Sequence, residues 1–303
     1  MKNIYTLIAV IILSISSNAQ QNSLYSQYMM NRFLINPAIT GNVNYIPFRL
    51  TVRQQWVGID NAPSTQAISA HTLLGNKKMG IGGYFFADCF GPETKIGLQA
   101  NYSYILKLNS IDSKLSFGVS FKVFQYKLDY TSMTVIDADD QVLNSTIEST
   151  FVPDADFGIY LQGEKYYTGF SITQLLELPI VIADQEIDKN SMIRHYYLLG
   201  GYRFHLNNNF EMEPSVLLKG TEKTPFQADI NIKGIFQKNY WLGFSYRTSN
   251  SIIAMLGVNF QAFVFGYAYD YSLSSIQNYQ HGSHEIVLGY NFGRNKNKGS
   301  SLL

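Results

Sequence analysis

A single cysteine, Cys89, leaves no internal disulfide available among 303 residues, so no covalent brace holds this fold. Charge is scarce as well. Asp, Glu, Lys and Arg make up 15% of the chain, against roughly 25% in an average soluble protein. What charge there is nearly cancels, at a formal net +1, so there is no basic excess to neutralise nucleic-acid phosphates. Beyond the first twenty residues, no uninterrupted apolar run approaches the length of about 18 that a membrane-crossing helix needs, which excludes a helical membrane protein. Yet 46% of residues are hydrophobic. With so little charge to face water, much of that apolar surface must face something else.

The one long apolar stretch lies at the start. Met1-Lys2-Asn3 carries a positive charge, Ile4 to Ile15 is almost wholly apolar, and Ser17-Asn18-Ala19 sets small residues at the first and third positions before Gln20. This profile predicts a signal peptide over 1–19 and a mature chain that begins at Gln20 and leaves the cytoplasm. Because the cysteine lies far from the cut, a lipoprotein anchored through its first residue is not expected.

Period-two alternation then recurs along the chain. Leu115, Phe117, Val119, Phe121 and Val123 alternate with Ser116, Gly118, Ser120 and Lys122. Phe226, Ala228, Ile230, Ile232 and Phe236 likewise oppose Gln227, Asp229, Asn231 and Lys233, and Phe263, Phe265, Tyr267, Tyr269 and Tyr271 share a face. One face of each strand suits lipid and the other water. The pattern predicts fourteen strands, at 47–57, 64–74, 78–88, 94–108, 113–127, 154–163, 166–175, 193–205, 210–219, 226–236, 240–248, 252–260, 263–272 and 284–292. Many run about 9 to 11 residues, the span of a tilted strand across a bilayer, where strands of soluble sheets more often stop near 5 or 6. The 22 tyrosines, 20 phenylalanines and 23 glycines fit closely packed strands with aromatic girdles at the two interfaces. A β-sandwich would alternate too, but strand length, the leader and the turns together favour a transmembrane antiparallel β-barrel.

The turns alternate in kind. Even-numbered links such as Gly75-Asn76-Lys77, Gly163-Glu164-Lys165 and Gln261-Ala262 are all short, whereas odd-numbered ones include 128–153, 176–192 and 273–283. Outer-membrane barrels keep short turns in the periplasm and long loops outside, so an outer-membrane location with both termini periplasmic is expected. The domain reading is a leader at 1–19, an N-terminal segment at 20–46, a barrel at 47–292 and a polar tail at 293–303. Phe33-Leu34-Ile35-Asn36-Pro37 is too apolar for a solvated tail, and fourteen strands enclose more room than their own side chains fill. The segment is therefore expected to pack on or inside the barrel.

Little in the sequence points to chemistry. His281-Gly282-Ser283-His284-Glu285 is the densest group of potential ligands, but it falls at a loop-to-strand junction without the helix that would aim both rings at one metal. His71, His195 and His205 each stand alone. Asp137-Ala138-Asp139-Asp140 lacks the glycine and distal glutamate of an EF-hand, and Gly80-Ile81-Gly82-Gly83 sits inside a strand pattern rather than between strand and helix. No catalytic residue, cofactor or metal is expected, and the protein is read as not an enzyme.

One region is neither plain strand nor plain turn: Arg53-Gln54-Gln55-Trp56-Val57-Gly58-Ile59-Asp60-Asn61-Ala62-Pro63-Ser64-Thr65. Trp56 suits a membrane interface, and the two glutamines beside an arginine equally suit a protein-binding rim. The residues alone leave both readings open.

This block, with Gln27-Tyr28-Met29, Asn36-Pro37-Ala38 and Gly41 before it, resembles the PorP/SprF family of outer-membrane proteins of the type IX secretion system of Bacteroidota. Further matching patches are Asp88 with Gly91-Pro92, Pro153-Asp154-Ala155, Tyr166-Tyr167-Thr168-Gly169, Glu213-Pro214-Ser215, Trp241 through Arg247, and Gly282-Ser283-His284-Glu285-Ile286. Two positions depart from the pattern: Ile39, where the family often has tyrosine, and Asn61, where it often has glycine.

The resemblance implies a non-enzymatic barrel that assists secretion or surface anchoring of a partner surface protein, often a gliding adhesin, by binding its C-terminal domain in the manner of the SprF-like members. A core subunit linked to the periplasmic motor and ring, and a passive porin or solute transporter, are the alternatives. Expected partners are the secreted protein, other type IX components and outer-membrane lipid. The candidate partner-binding residues are Arg53, Gln54, Gln55, Trp56, Gly58, Pro63, His284 and Glu285.

Overall fold

The computed structural model describes residues 25–132, 147–182, 185–186 and 192–293. The leader at 1–19, the acidic run Asp137 to Asp140 and the chain ends lie outside these residues. Fourteen antiparallel strands are β1 (Ile46–Gln54), β2 (Ser64–Leu73), β3 (Met79–Phe90), β4 (Glu93–Leu108), β5 (Ser113–Asp129), β6 (Ile147–Gln162), β7 (Tyr166–Thr173), β8 (His195–Tyr202), β9 (Phe210–Thr221), β10 (Gln227–Phe236), β11 (Tyr240–Arg247), β12 (Ser251–Phe260), β13 (Phe263–Ser272) and β14 (Ser283–Phe292). Each pairs with its neighbours in sequence, and β1 pairs with β14 from Ile46↔Phe292 to Gln54↔His284, so the sheet closes on itself. A closed sheet has no unpaired edge, which is what lets strands lie in hydrocarbon.

The alternation in sequence becomes two surfaces. Along β5, Phe117, Val119 and Phe121 are exposed while Ser116, Ser120 and Lys122 are buried. In β10, Ile230 and Ile232 point outward, and Asp229, Asn231 and Lys233 point inward. The outer surface is an apolar band, and the polar residues are gathered inside the barrel, away from lipid.

The largest departure from the sequence reading is the fifth link. A loop is expected over 128–153, but β5 continues to Asp129 and β6 begins at Ile147, so the two pair from Leu128↔Glu148 through Val123↔Pro153. Pro153 reads as a strand breaker. It is tolerated because β7 pairs with β6 only over Phe157–Gln162, which leaves Pro153 on a stretch with one free edge. The extension is long enough to carry a second small core, in which Phe124, Tyr126, Leu128 and Val152 meet Ile180 and Met192 of the following loop.

All seven odd links gather at one end of the barrel, called here the loop end, and the six short ones at the other, the short-turn end. β1 begins and β14 finishes at the short-turn end.

Candidate functional site

Ser26 to Val43 are buried with the single exception of Met30, and they run through the inside of the barrel. Three 3-10 turns, Tyr28–Met30, Arg32–Leu34 and Pro37–Ile39, make up the segment. Turns this short satisfy few of their own backbone groups, and buried groups left unpaired are costly. The barrel wall supplies the missing partners at three levels.

At the loop end, the Ser26 and Gln27 N–H groups donate to the two carboxylate oxygens of Glu285 at 2.7 and 2.8 Å. Gln27 Nε2 donates to the Glu285 carbonyl at 3.0 Å. The Ser26 hydroxyl donates to Asp270 at 3.1 Å and accepts from Arg53 at 2.7 Å. Arg53 also pairs with Asp270 at 2.9 Å and Glu285 at 3.5 Å, and Arg247 bridges Asp270 and Asp229 at 3.0 and 3.1 Å. Two guanidiniums and three carboxylates thus share one buried network, and charge-assisted hydrogen bonds of this kind are among the stronger ones.

Midway, Arg32 of the segment pairs with Glu213 at 3.0 Å and lies over the Tyr167 ring at 3.6 Å. Glu213 also holds Arg203 at 2.6 Å and Lys233 at 3.2 Å. Beside this cluster Tyr28, Met29, Phe33 and Ile39 pack on Tyr160, Tyr197, Leu199, Trp241 and Ile253.

Asn36-Pro37-Ala38 then crosses a platform of glycines from three adjacent strands. A Cβ at Gly118 would land on the Pro37–Ala38 backbone, and one at Gly158 on the Asn36 side chain. Only glycine lets the two backbones approach so closely. Asn36 Oδ1 accepts from the Ala38 N–H at 2.9 Å while its amide donates to the Ile159 and Phe170 carbonyls at 3.1 and 3.2 Å. Asparagine is needed because both ends of its amide are used.

Nearer the short-turn end, Ser103 donates to the Thr40 carbonyl at 2.6 Å and the Gly41 N–H donates to His71 Nδ1 at 3.1 Å. The Gly80 end of the β3 glycine cluster is the place where Thr40 approaches the wall.

The residues singled out from the sequence divide into groups. Arg53 and Glu285 are direct cross-strand partners with their side chains inside, engaged with the N-terminal segment. Gln54 and His284 face outward from the same pair of strands, and His284 Nδ1 lies 2.7 Å from the Tyr267 hydroxyl. Gln55 and Pro63 close the first loop through a 2.8 Å bond from the Gln55 N–H to the Pro63 carbonyl. Trp56 is half-buried, takes φ 48°, and donates its backbone N–H to the Ser283 hydroxyl at 3.1 Å. Gly58 takes φ 104° against the His281 ring. Val57 exchanges backbone bonds with Gly282 and His281 at 2.9 and 2.7 Å, so the first and last loops join into one rim.

Asn61, at a position where glycine is common, has φ 55°, a conformation asparagine tolerates better than most residues. Among the described residues no group of three or more His, Cys, Asp and Glu is placed to hold a metal.

Sequence reasoning did not offer Arg32, Glu213, Asp229, Arg247 or Asp270 as site residues, although Glu213 and Arg247 lie in patches that carry the family resemblance and Asp229 was placed on a polar strand face. Each is charged, and the four on strands occupy inward positions of otherwise apolar alternation, which is the signal that could have found them.

The profile of "Type IX secretion system membrane protein PorP/SprF" matches residues 17–290. This chain belongs to the PorP/SprF family. No curated protein matches it. Among solved structures, the Pseudomonas putida toluene transporter TodX is similar over 93% of this chain and 96% of its own, with TM-score 0.52 at 9% identity. The monoaromatic hydrocarbon channel CymD gives TM-score 0.51 at 10% identity over 91% of this chain and 95% of its own. Identities this low carry the fold, an outer-membrane barrel, and nothing of what those proteins transport. This PorP/SprF member is therefore a type IX secretion barrel of the outer membrane whose interior holds its own N-terminal segment.

Proposed function

We propose that this barrel is a non-enzymatic, SprF-like partner of a secreted surface protein, binding the C-terminal domain of that protein and helping it cross or stay attached to the outer membrane. The short-turn end then faces the periplasm and the joined rim of the first and last loops faces out. The observation that carries this reading is that the interior is already filled. A lumen spent on the protein's own segment argues against a passive porin and moves partner contact to the loops and rim.

On this reading Trp56, Gln55, Gly58 and Pro63 form the contact surface with His284 beside them, and Arg53 and Glu285 act from within by holding the segment that supports the rim. Trp56 is suited to the task, since aromatic side chains with a polar handle are enriched among residues that dominate binding energy.

Affinity purification of the tagged barrel from its native outer membrane, read by mass spectrometry, tests this. Recovery of a large surface protein whose C-terminal domain alone then binds the purified barrel, more weakly after Trp56→Ala, supports it. Recovery of periplasmic ring components without such a protein would make the barrel a core subunit, and a lone barrel that conducts ions would make it a porin.

A further inference from the structure

The short-turn mouth of the lumen has an electrostatic character found nowhere in the network around the N-terminal segment. Lys107 of β4 and Lys114 of β5 stand directly opposite each other, on the same inward-facing parity as the buried pair Ile105 and Ser116. Like charges opposed across a strand pair repel. Neither lysine forms an ion pair among the described residues, and the one polar contact of Lys114 Nζ is the Asn42 carbonyl at 3.5 Å.

Both line a cavity of about 630 Å³, with Lys77 as a third cation and Tyr45, Leu73 and Ile105 as its apolar side. No carboxylate lines it. Elsewhere in the same barrel several buried cations are matched: Arg53 and Arg247 by Asp229, Asp270 and Glu285, Arg32 and Lys233 by Glu213, and Lys122 by Asp154 and Asp156. Three lysines that line one cavity, with no carboxylate among its lining residues, make a surface complementary to negative charge.

Gly293 lines the cavity, and the sequence that follows it carries Arg294, Lys296 and Lys298 and no Asp or Glu. Bilayer lipid is disfavoured as the source, because Lys107 and Lys114 share the inward parity of Ile105 and Ser116, while Tyr104 and Leu106 carry the outer face.

We propose that this mouth is a docking site for an acidic peptide segment of a partner protein, seated with its carboxylates on Lys77, Lys107 and Lys114 and an apolar side chain against Leu73 and Ile105. The volume lies within the range of sites that take small ligands and short peptide anchors. The site is separate from the rim at the loop end and holds whether or not a secreted protein binds there.

The test uses the full-length barrel in detergent or nanodiscs, with a fluorescent peptide of alternating glutamate and leucine as the probe. Saturable binding is expected, weakened at least tenfold in the triple variant Lys77→Gln, Lys107→Gln, Lys114→Gln and weakened by added salt. Circular dichroism and heat-modified gel mobility should show the variant folded, since the substitutions remove a repulsion. Peptide binding unchanged in a folded triple variant would overturn the site. Lysine-dependent binding of phosphatidylglycerol micelles but not of the peptide would overturn the peptide assignment in favour of lipid headgroups. Should the triple variant fail to fold, Lys107→Gln alone, which keeps the Lys114 to Asn42 contact, is expected to lose at least threefold, and an unchanged affinity there overturns the proposal.

Discussion

Two regions of the lumen treat charge in opposite ways. At the loop end, Arg53, Arg247, Asp229, Asp270 and Glu285 are interlocked at 2.9 to 3.5 Å and clamp two backbone amides of the N-terminal segment. At the short-turn end Lys77, Lys107 and Lys114 share a cavity with no acid. Buried charge that finds partners within the chain organises the fold. Charge left facing its own sign contributes nothing to folding, and that is the ground for the external docking proposed there.

Substitutions can break or sharpen this contrast. Glu213→Ala should have the largest effect, because it strands Arg32, Arg203 and Lys233 around a missing anion. Removing one partner of a buried pair costs about 3–5 kcal/mol, read as a lower midpoint of heat-modified gel mobility. If the midpoint stays put, the midway network is dispensable.

Glu285→Gln should cost less, about 1–3 kcal/mol, because Asp270 still holds Arg53. Its signature is local: hydrogen exchange should quicken at the Ser26 and Gln27 amides while those near Arg32 stay protected. Uniform exchange along the segment would mean that it leaves as one unit rather than from its loop end.

Gly158→Ala places a methyl group on Asn36 and should cost about 1–3 kcal/mol, with protease sensitivity appearing between Ser26 and Val43. Trp56→Ala should leave stability within about 0.5 kcal/mol and weaken partner binding by about tenfold, which is about 1.4 kcal/mol. Smallest is Lys107→Gln, expected to stabilise by about 0.2–1 kcal/mol through relief of the opposed lysines. A loss of stability would show that the lysine is paired in the folded barrel.

Strand number, alternation and turn asymmetry were legible because each is written locally. A strand between lipid and a polar interior must alternate, and no residue of β5 or β10 needs a distant partner to reveal its face. The strand pairing within 128–153 was missed for the converse reason, since Pro153 fits a strand only where β7 stops short at Phe157 in the register, a fact about another element. The roles of Arg53 and Glu285 were hidden in the same way. Both stood out as parts of a rim, yet the partners that fix their direction, Asp270 for Arg53 and the Ser26 amide for Glu285, lie 217 and 259 residues away in sequence. Asn36 and the glycines that receive it are similarly remote: Gly158 sits in the sixth strand, and nothing around it announces what it faces.

Arg53 and Glu285 also sit on the first and last strands, directly across the seam where the sheet joins its own beginning. Ser26 bridges that seam from inside, accepting a hydrogen bond from Arg53 and donating its N–H to Glu285, while Gln27 adds a second N–H to Glu285. The seam and the seated segment are for that reason one piece of structure: without the segment, Glu285 would face the lumen with two acceptor positions unfilled.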